Sequence, residues 1–259
     1  MAINLEKMES LLQLKNKVFI TFDIDWAPDH MVNHVIDLCI QFEISATFFA
    51  THFCETLTRL RNYPELFEIG LHPNFLPGST QGTTEKEVFD YCKKLVPDAL
   101  SVRTHCVYQH GRLYGLLNKN FGERIIDSSI CMPGLNNIQP FELYTTSGCL
   151  VKVPFFWADD YYLLGKQKLD PNNLLNADGC KVYMFHPVHI YQNTKTIEEY
   201  EKRKQNQPDI NDCDRNSVDG IGFLFENFIK NIKQHFSTGL MKNFLEFNAA
   251  PSSNLIDKK

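Results

Sequence analysis

The stretch Val18-Phe19-Ile20-Thr21-Phe22-Asp23-Ile24-Asp25-Trp26 constrains this chain more than any other. A β-branched and aromatic run leads straight into two carboxylates. The run reads as a strand buried on both faces. Two acids at its C-terminal end are costly unless something compensates or uses them. In α/β folds, sites are built just past the C-terminal ends of the strands. The first question is therefore what else arrives at that end.

Other segments repeat the strand–helix pattern. Val32, Val35, Ile36 and Cys39 follow the i, i+3, i+4, i+7 spacing of an amphipathic helix. Ser45–Ala50, Phe67–Leu71, Leu100–Thr104, Arg124–Asp127, Leu150–Val153 and Lys181–Phe185 read as strands. Glu55–Arg61, Thr84–Leu95 (capped by Thr83 or Thr84), Arg112–Asn120 and Ile221–Phe236 read as helices. A short helix is expected over Met1–Asn16, long loops over Ser128–Gly148, and a last strand at Phe244–Phe247. Thr194–Asp219 is polar and reads as a mobile excursion, or as a solvated helix followed by a loop. Pro251–Lys259 reads as a loose tail.

Alternating strands and helices imply a parallel sheet with helices outside it. At 259 residues a closed or nearly closed barrel is favoured over an open doubly wound sheet. No repeat or linker divides the chain. One domain over 1–259 is expected, with its core at about 17–248 and the tail at 249–259. No glycine-rich phosphate loop follows any strand, so nucleotide-binding motifs are absent.

The formal charge is −5, with no block of lysine or arginine, which argues against a nucleic-acid partner and an anionic membrane surface. No apolar stretch reaches signal-peptide or membrane-span length. Eight scattered cysteines without a C-x-x-C pair suit a reducing compartment, so a cytoplasmic location is expected. The sequence carries no signal of oligomeric state.

The strand ends deliver a distinctive set. The first brings Asp23 and Asp25, the second His52, the third His72 and Asn74, the fourth Arg103 and His105. The Leu150 strand leads on to Trp157, Asp159 and Asp160, and the Lys181 strand to His186 and His189. Singly, each has an ordinary reading: an aspartate after a strand caps a turn, a histidine is a hydrogen-bonded core residue, a tryptophan is core. Five of nine histidines at strand ends is a convergence that those readings do not produce. Carboxylate and imidazole without clustered thiolate suit zinc or another first-row divalent metal. With a second carboxylate as base, a histidine as acid and an arginine to orient the base, the parts suit metal-assisted hydrolysis of an amide or ester.

These motifs, in this order, resemble the polysaccharide deacetylases (the NodB homology domain, carbohydrate esterase family 4). Thr21-Phe22-Asp23-Ile24-Asp25 is similar to the first motif, and Glu68-Ile69-Gly70-Leu71-His72 to the approach to the metal histidine. Val102-Arg103, Phe155–Asp160 and Tyr183-Met184-Phe185-His186 resemble the third, fourth and fifth. The resemblance implies a distorted (β/α) barrel of about seven parallel strands and metal-dependent N-deacetylation of an acetamido sugar. It implies Asp23 as base, Asp25 and His72 as ligands of a divalent ion such as Zn2+, Arg103 as orienter and His186 as acid. The histidine usual four residues after His72 is replaced by Leu76; His105 is the first candidate for the third ligand, ahead of Asn74 and His52. His52, Asn74, Trp157, Asp160 and His189 are expected to contact the carbohydrate. Pro73 and Pro187-Val188-His189 point to a divergent cytoplasmic branch associated with surface polysaccharide. Two alternatives remain: hydrolysis of a small non-sugar amide, and a barrel that binds sugar without turnover.

Overall fold

The computed structural model of the chain describes residues 17–133, 135–166, 170–206 and 217–246. The expected helix over Met1–Asn16, the Pro251–Lys259 tail and the middle of Thr194–Asp219 lie outside the described residues.

Among the described residues ten strands form one sheet, ordered β6-β7-β5-β4-β3-β2-β1-β9-β8, with β10 also on β1. In chain order they are β1 (Lys17–Asp23), β2 (Ala46–Ala50), β3 (Phe67–Leu71), β4 (Ser101–Val102), β5 (Arg124–Asp127), β6 (Phe141–Thr145), β7 (Gly148–Lys152), β8 (Trp157–Ala158), β9 (Lys181–Phe185) and β10 (Ser237–Thr238). All pairings are parallel except β6 with β7. The stretch Gly148–Ala158 carries both β7, paired with β5, and β8, paired with β9. A bridge from Cys131 to Phe155 lies between them. One continuous segment thus brings the two sides of the sheet together, as a curled, barrel-like sheet requires.

The helices are α1 (Asp29–Phe42), α2 (Glu55–Arg61), α3 (Glu85–Leu95), α4 (Gly111–Phe121), α5 (Asp159–Leu163), α6 (Pro187–Tyr191), α7 (Ile197–Asn206) and α8 (Ile221–His235). Thr84 forms a capping box with Glu87 at the start of α3.

Side-chain alternation on the strands divides the core in two. Val18, Ile20 and Phe22 of β1 and Ala46, Phe48 and Ala50 of β2 face outward with Val35, Phe225 and Phe228 of the helices. Phe19 of β1 and Phe49 of β2 face inward with Val151, Val182 and Met184. Thr21 and Asp23 continue the inward row begun by Phe19. A carboxylate is therefore aimed into the curl of the sheet by the same period that buries Phe19.

Two expected elements differ. Ser128–Gly148 contains β6, whose residues are half-exposed and whose antiparallel partner follows within a short turn; the apolar pattern there is too weak to show it. The expected last strand is instead a 3-10 turn, Met241–Glu246, that plugs the bottom of the curl. Its Phe244 ring lies 4.5 Å from Phe19. Its backbone N–H groups at Met241 and Lys242 donate to Thr47 Oγ1 and Glu68 Oε2.

Glu68 is buried and also accepts from Ser101 Oγ at 2.6 Å and Thr47 Oγ1 at 3.1 Å. Burial pushes its carboxyl up, against the hydrogen bonds from Ser101, Lys242 and Thr47. The folded state therefore holds this proton at a pH where the unfolded chain has lost it. The Glu68 contribution to stability is complete below the unfolded value of about 4.3 and is lost as pH rises through the higher folded value. Glu68→Gln removes that dependence while leaving one partner without an acceptor. The substitution is expected to cost about 1–3 kcal/mol at pH 5 and less at pH 8 in urea unfolding. A cost that grows with pH contradicts this account.

Candidate active site

β1 ends at Asp23, and the chain then turns. Asp25 and Trp26 both adopt left-handed backbone, with φ of 44° and 58°. Strand alternation is therefore not what aims Asp25. Each such non-glycine residue costs on the order of 1–3 kcal/mol and persists only where its surroundings hold it. Here Thr51 Oγ1 accepts from the Trp26 N–H at 3.1 Å, and Ala27 N–H closes the turn on Ile24 O at 2.8 Å.

The turn carries the Asp25 carboxylate to two imidazoles. Asp25 Oδ1 lies 3.1 Å from His72 Nε2 and 3.2 Å from His105 Nδ1, and the two nitrogens are 3.2 Å apart. Three heteroatoms thus form a nearly equilateral triangle. With both ring nitrogens unprotonated, three lone pairs converge on one point, where a cation would meet all three. Bonds of about 2.0–2.1 Å in tetrahedral geometry place ligand atoms about 3.3 Å apart, so this donor set fits a zinc-like ion. Burial opposes ionisation of Asp25, but hydrogen bonds from His105, His186 and His72 outweigh it and hold the carboxyl well below the usual range. Burial likewise works against a charged His72, while Asp23 and Asp25 outweigh it and raise its pKa.

Asp23 stands beside this triangle, its Oδ2 3.8 Å from His72 Nε2. Its other oxygen accepts from Arg103 Nη1 at 2.8 Å. Arg103 is fully buried, between the rings of Phe49 and Phe155 at 4.5 and 4.7 Å. Its remaining donors reach Thr21 Oγ1, Ser128 O and Ser128 Oγ. Gly70 leaves room for this stack: a Cβ there would meet the Phe49 ring at 2.6 Å.

On the far side, His186 Nε2 lies 3.5 Å from Asp25 Oδ2. Asp159 holds the ring, accepting from Nδ1 at 2.7 Å and from the His186 backbone N–H at 2.6 Å. Burial disfavours the imidazolium, but the charges of Asp160 and Asp159 outweigh it and raise the His186 pKa well above its usual value. His189 is buried, between Asp160 Oδ1 at 3.1 Å and Thr194 Oγ1 at 3.3 Å. Asp160, His186 and His189 form a second His/Asp group.

Spacing alone does not distinguish Asp159 from Asp160; in the fold it is Asp159 that holds His186. Tyr200 on α7 lies in a polar stretch that carries no site signal, yet its ring meets His189 edge-on at 4.6 Å. Three residues expected to touch substrate sit otherwise. Trp157 is fully buried, its ring 4.8 Å from Phe185, because β8 turns it into the helix-side core. Asn74 uses its side chain within its own loop, accepting from the Leu76 N–H at 2.9 Å. His52 belongs to neither His/Asp group and meets Thr51 Oγ1 at 2.9 Å.

A curled parallel sheet with these residues at its carboxyl end places the chain among the NodB-like carbohydrate esterase barrels. It belongs to the WbmS-like polysaccharide deacetylase family, whose model matches residues 20–204. A crystal structure from Bordetella bronchiseptica, assigned as a polysaccharide deacetylase involved in O-antigen biosynthesis, is 31% identical. The match covers 88% of this chain and 95% of that one, with a TM-score of 0.74. A Streptococcus mutans CE4 esterase is 11% identical over 92% of this chain and 91% of that one, at a TM-score of 0.45. Peptidoglycan deacetylase PdaC from Bacillus subtilis is 12% identical over 87% of each chain, at 0.42. No curated protein sequence matches. No helix of the described residues is long and apolar enough to cross a membrane.

The Arg103–Asp23 contact is buried on both sides, so truncating one partner strands the other. Arg103→Ala is expected to lower the unfolding free energy by about 3–5 kcal/mol, read by urea denaturation. A loss below about 1 kcal/mol, typical of an exposed pair, contradicts that burial.

Proposed function

We propose that this protein is a metal-dependent hydrolase that removes the N-acetyl group from an acetamido sugar. The substrate is a sugar-nucleotide or lipid-linked precursor of surface polysaccharide, a reading supported by the O-antigen assignment of the Bordetella relative. The observation that carries the metal-dependent part is the triangle of Asp25, His72 and His105. These three residues would hold a divalent ion, and two nitrogens with one carboxylate oxygen suit zinc. When bound, such an ion supplies Lewis-acid polarisation of the acetyl carbonyl and of water.

The remaining work belongs to side chains. Asp23 takes the proton from the attacking water. Arg103 fixes the orientation of the Asp23 carboxylate and balances its charge, leaving Oδ2 on the side of His72. His186 delivers a proton to the departing amine nitrogen, so that amide and water become acetic acid and free amine. Asp159 holds the His186 ring by Nδ1, which leaves Nε2 as the face toward Asp25 and the substrate. Asp160, the more exposed of the two acids on that side, is positioned to accept a sugar hydroxyl, with His189 bracing it. A cytoplasmic address fits the unpaired state of the cysteines among the described residues.

Incubation of zinc-loaded protein with a panel of acetamido sugar nucleotides is expected to release acetate. No release from any of them, with stoichiometric metal bound, favours a non-sugar amide; no metal bound and no effect of His72→Ala favours a sugar-binding barrel without turnover. Asp23→Asn is expected to keep the metal and lose about 10²–10⁴-fold in kcat, the range of general-base catalysis. Asp25→Asn is expected to lose the metal. The reverse pattern means that the two roles are exchanged.

A further inference from the structure

Beneath the site lies a buried ion pair that the mechanism above does not use. Asp127 and Lys152 are adjacent in register at the ends of β5 and β7, and each is about 1% exposed. Lys152 Nζ donates to Asp127 Oδ2 at 2.5 Å and to Gln109 Oε1 at 3.0 Å, and lies 4.6 Å over the Tyr114 ring. A buried pair of this kind seldom adds net stability over an apolar pair of the same size. Its contacts suggest another use.

The other oxygen of Asp127 accepts the N–H of Ser129 at 2.9 Å, while Gln109 donates to the Ser129 carbonyl. The dipeptide Ser128–Ser129 is thereby pinned at both backbone groups of Ser129, and it reaches the site by two arms. Ser128 takes two bonds from Arg103, at Ser128 O from Nε and at Ser128 Oγ from Nη2, and Arg103 holds Asp23. Ser129 Oγ accepts the backbone N–H of Thr104 at 2.9 Å, and Thr104 is the residue before His105. Beyond His105 the chain is held in left-handed backbone at Cys106 and Val107, with φ of 52° and 48°. For a β-branched valine this conformation is a true outlier. The loop that presents His105 is therefore under tension, and Thr104 is its anchored end.

We propose that Asp127, through Ser128–Ser129, is a positioning residue that sets the base and the third candidate metal ligand from one anchor. The Ser128 arm sets the orientation of Arg103 on Asp23. The Ser129 arm sets the approach of His105 to Asp25 and His72. This inference rests on the roles proposed above for Asp23 and His105.

The two arms predict separable defects. Ser128→Ala is expected to lower kcat about tenfold with KM and the zinc Kd unchanged, and Ser129→Ala to weaken zinc about tenfold by calorimetric titration, the scale typical of residues behind a ligand. Two neutral double variants test the anchor. Asp127→Asn with Lys152→Met keeps an acceptor for the Ser129 N–H, and is expected to keep kcat and zinc Kd within about threefold. Asp127→Ala with Lys152→Met removes that acceptor, and is expected to lose about tenfold in both at a comparable thermal midpoint. Equal kcat and zinc Kd in the two doubles overturns the proposal, as does a pair of serine variants that share one defect or show none. If the alanine double does not fold, the serine variants, each lacking one hydroxyl, decide. A wild-type protein that neither binds zinc nor releases acetate defeats the functional reading itself. Normal wild-type behaviour with unsplit variants defeats only this inference.

Discussion

A guanidinium buried inside the curl of the sheet is the contact on which the site depends. Arg103 can sit there only because each face is covered by a ring and its donors are met by Asp23, Thr21 and Ser128. Desolvating such a charge is expensive, and the partners must be in place together. Phe49 needs the missing side chain of Gly70, and Phe155 needs the crossing segment between β7 and β8. The strands that form the fold are thus the strands that solvate the arginine, and Asp23 is oriented as a result.

The second group of residues is aimed by turns. Asp25 leaves β1 in left-handed backbone, and the loop after His105 does the same. Both departures place a potential ligand at the corner of one small triangle. Local strain at such points is tolerated when the scaffold over-determines them. Thr51 and Ser129 supply part of that determination, each by accepting a backbone N–H next to a corner residue. The opposite wall works differently: Asp159 orients His186 by direct contact, and the neighbouring acids raise its pKa against burial.

Much of the fold was legible because buried strands write themselves plainly. The runs at Val18, Phe67, Arg124 and Lys181 begin or end within a residue of the observed β1, β3, β5 and β9. What escaped were a hairpin strand whose apolar pattern is too weak to show and a turn stabilised by partners remote in sequence. β6 is half-exposed and gains its order from β7, and the 3-10 turn at Met241 resembles a strand because it fills the core with Met241 and Phe244. The site was legible as a set of residue types at strand ends. The finer assignments were not: which aspartate meets His186, which aromatic is core and which is rim, and that Asn74 serves its own loop. Those depend on rotations of single side chains, which sequence spacing does not encode. His105, the first candidate for the ligand missing at Leu76, lies 3.2 Å from both Asp25 and His72 in the fold.

The account turns on whether a cation occupies the triangle. Crystals grown with zinc, with diffraction recorded on both sides of the zinc absorption edge, test this directly. The account predicts one anomalous peak bonded to Asp25 Oδ1, His72 Nε2 and His105 Nδ1, with Asp23 outside the bonding shell. A peak on Asp160, His186 and His189 instead, or no peak at either group, contradicts it.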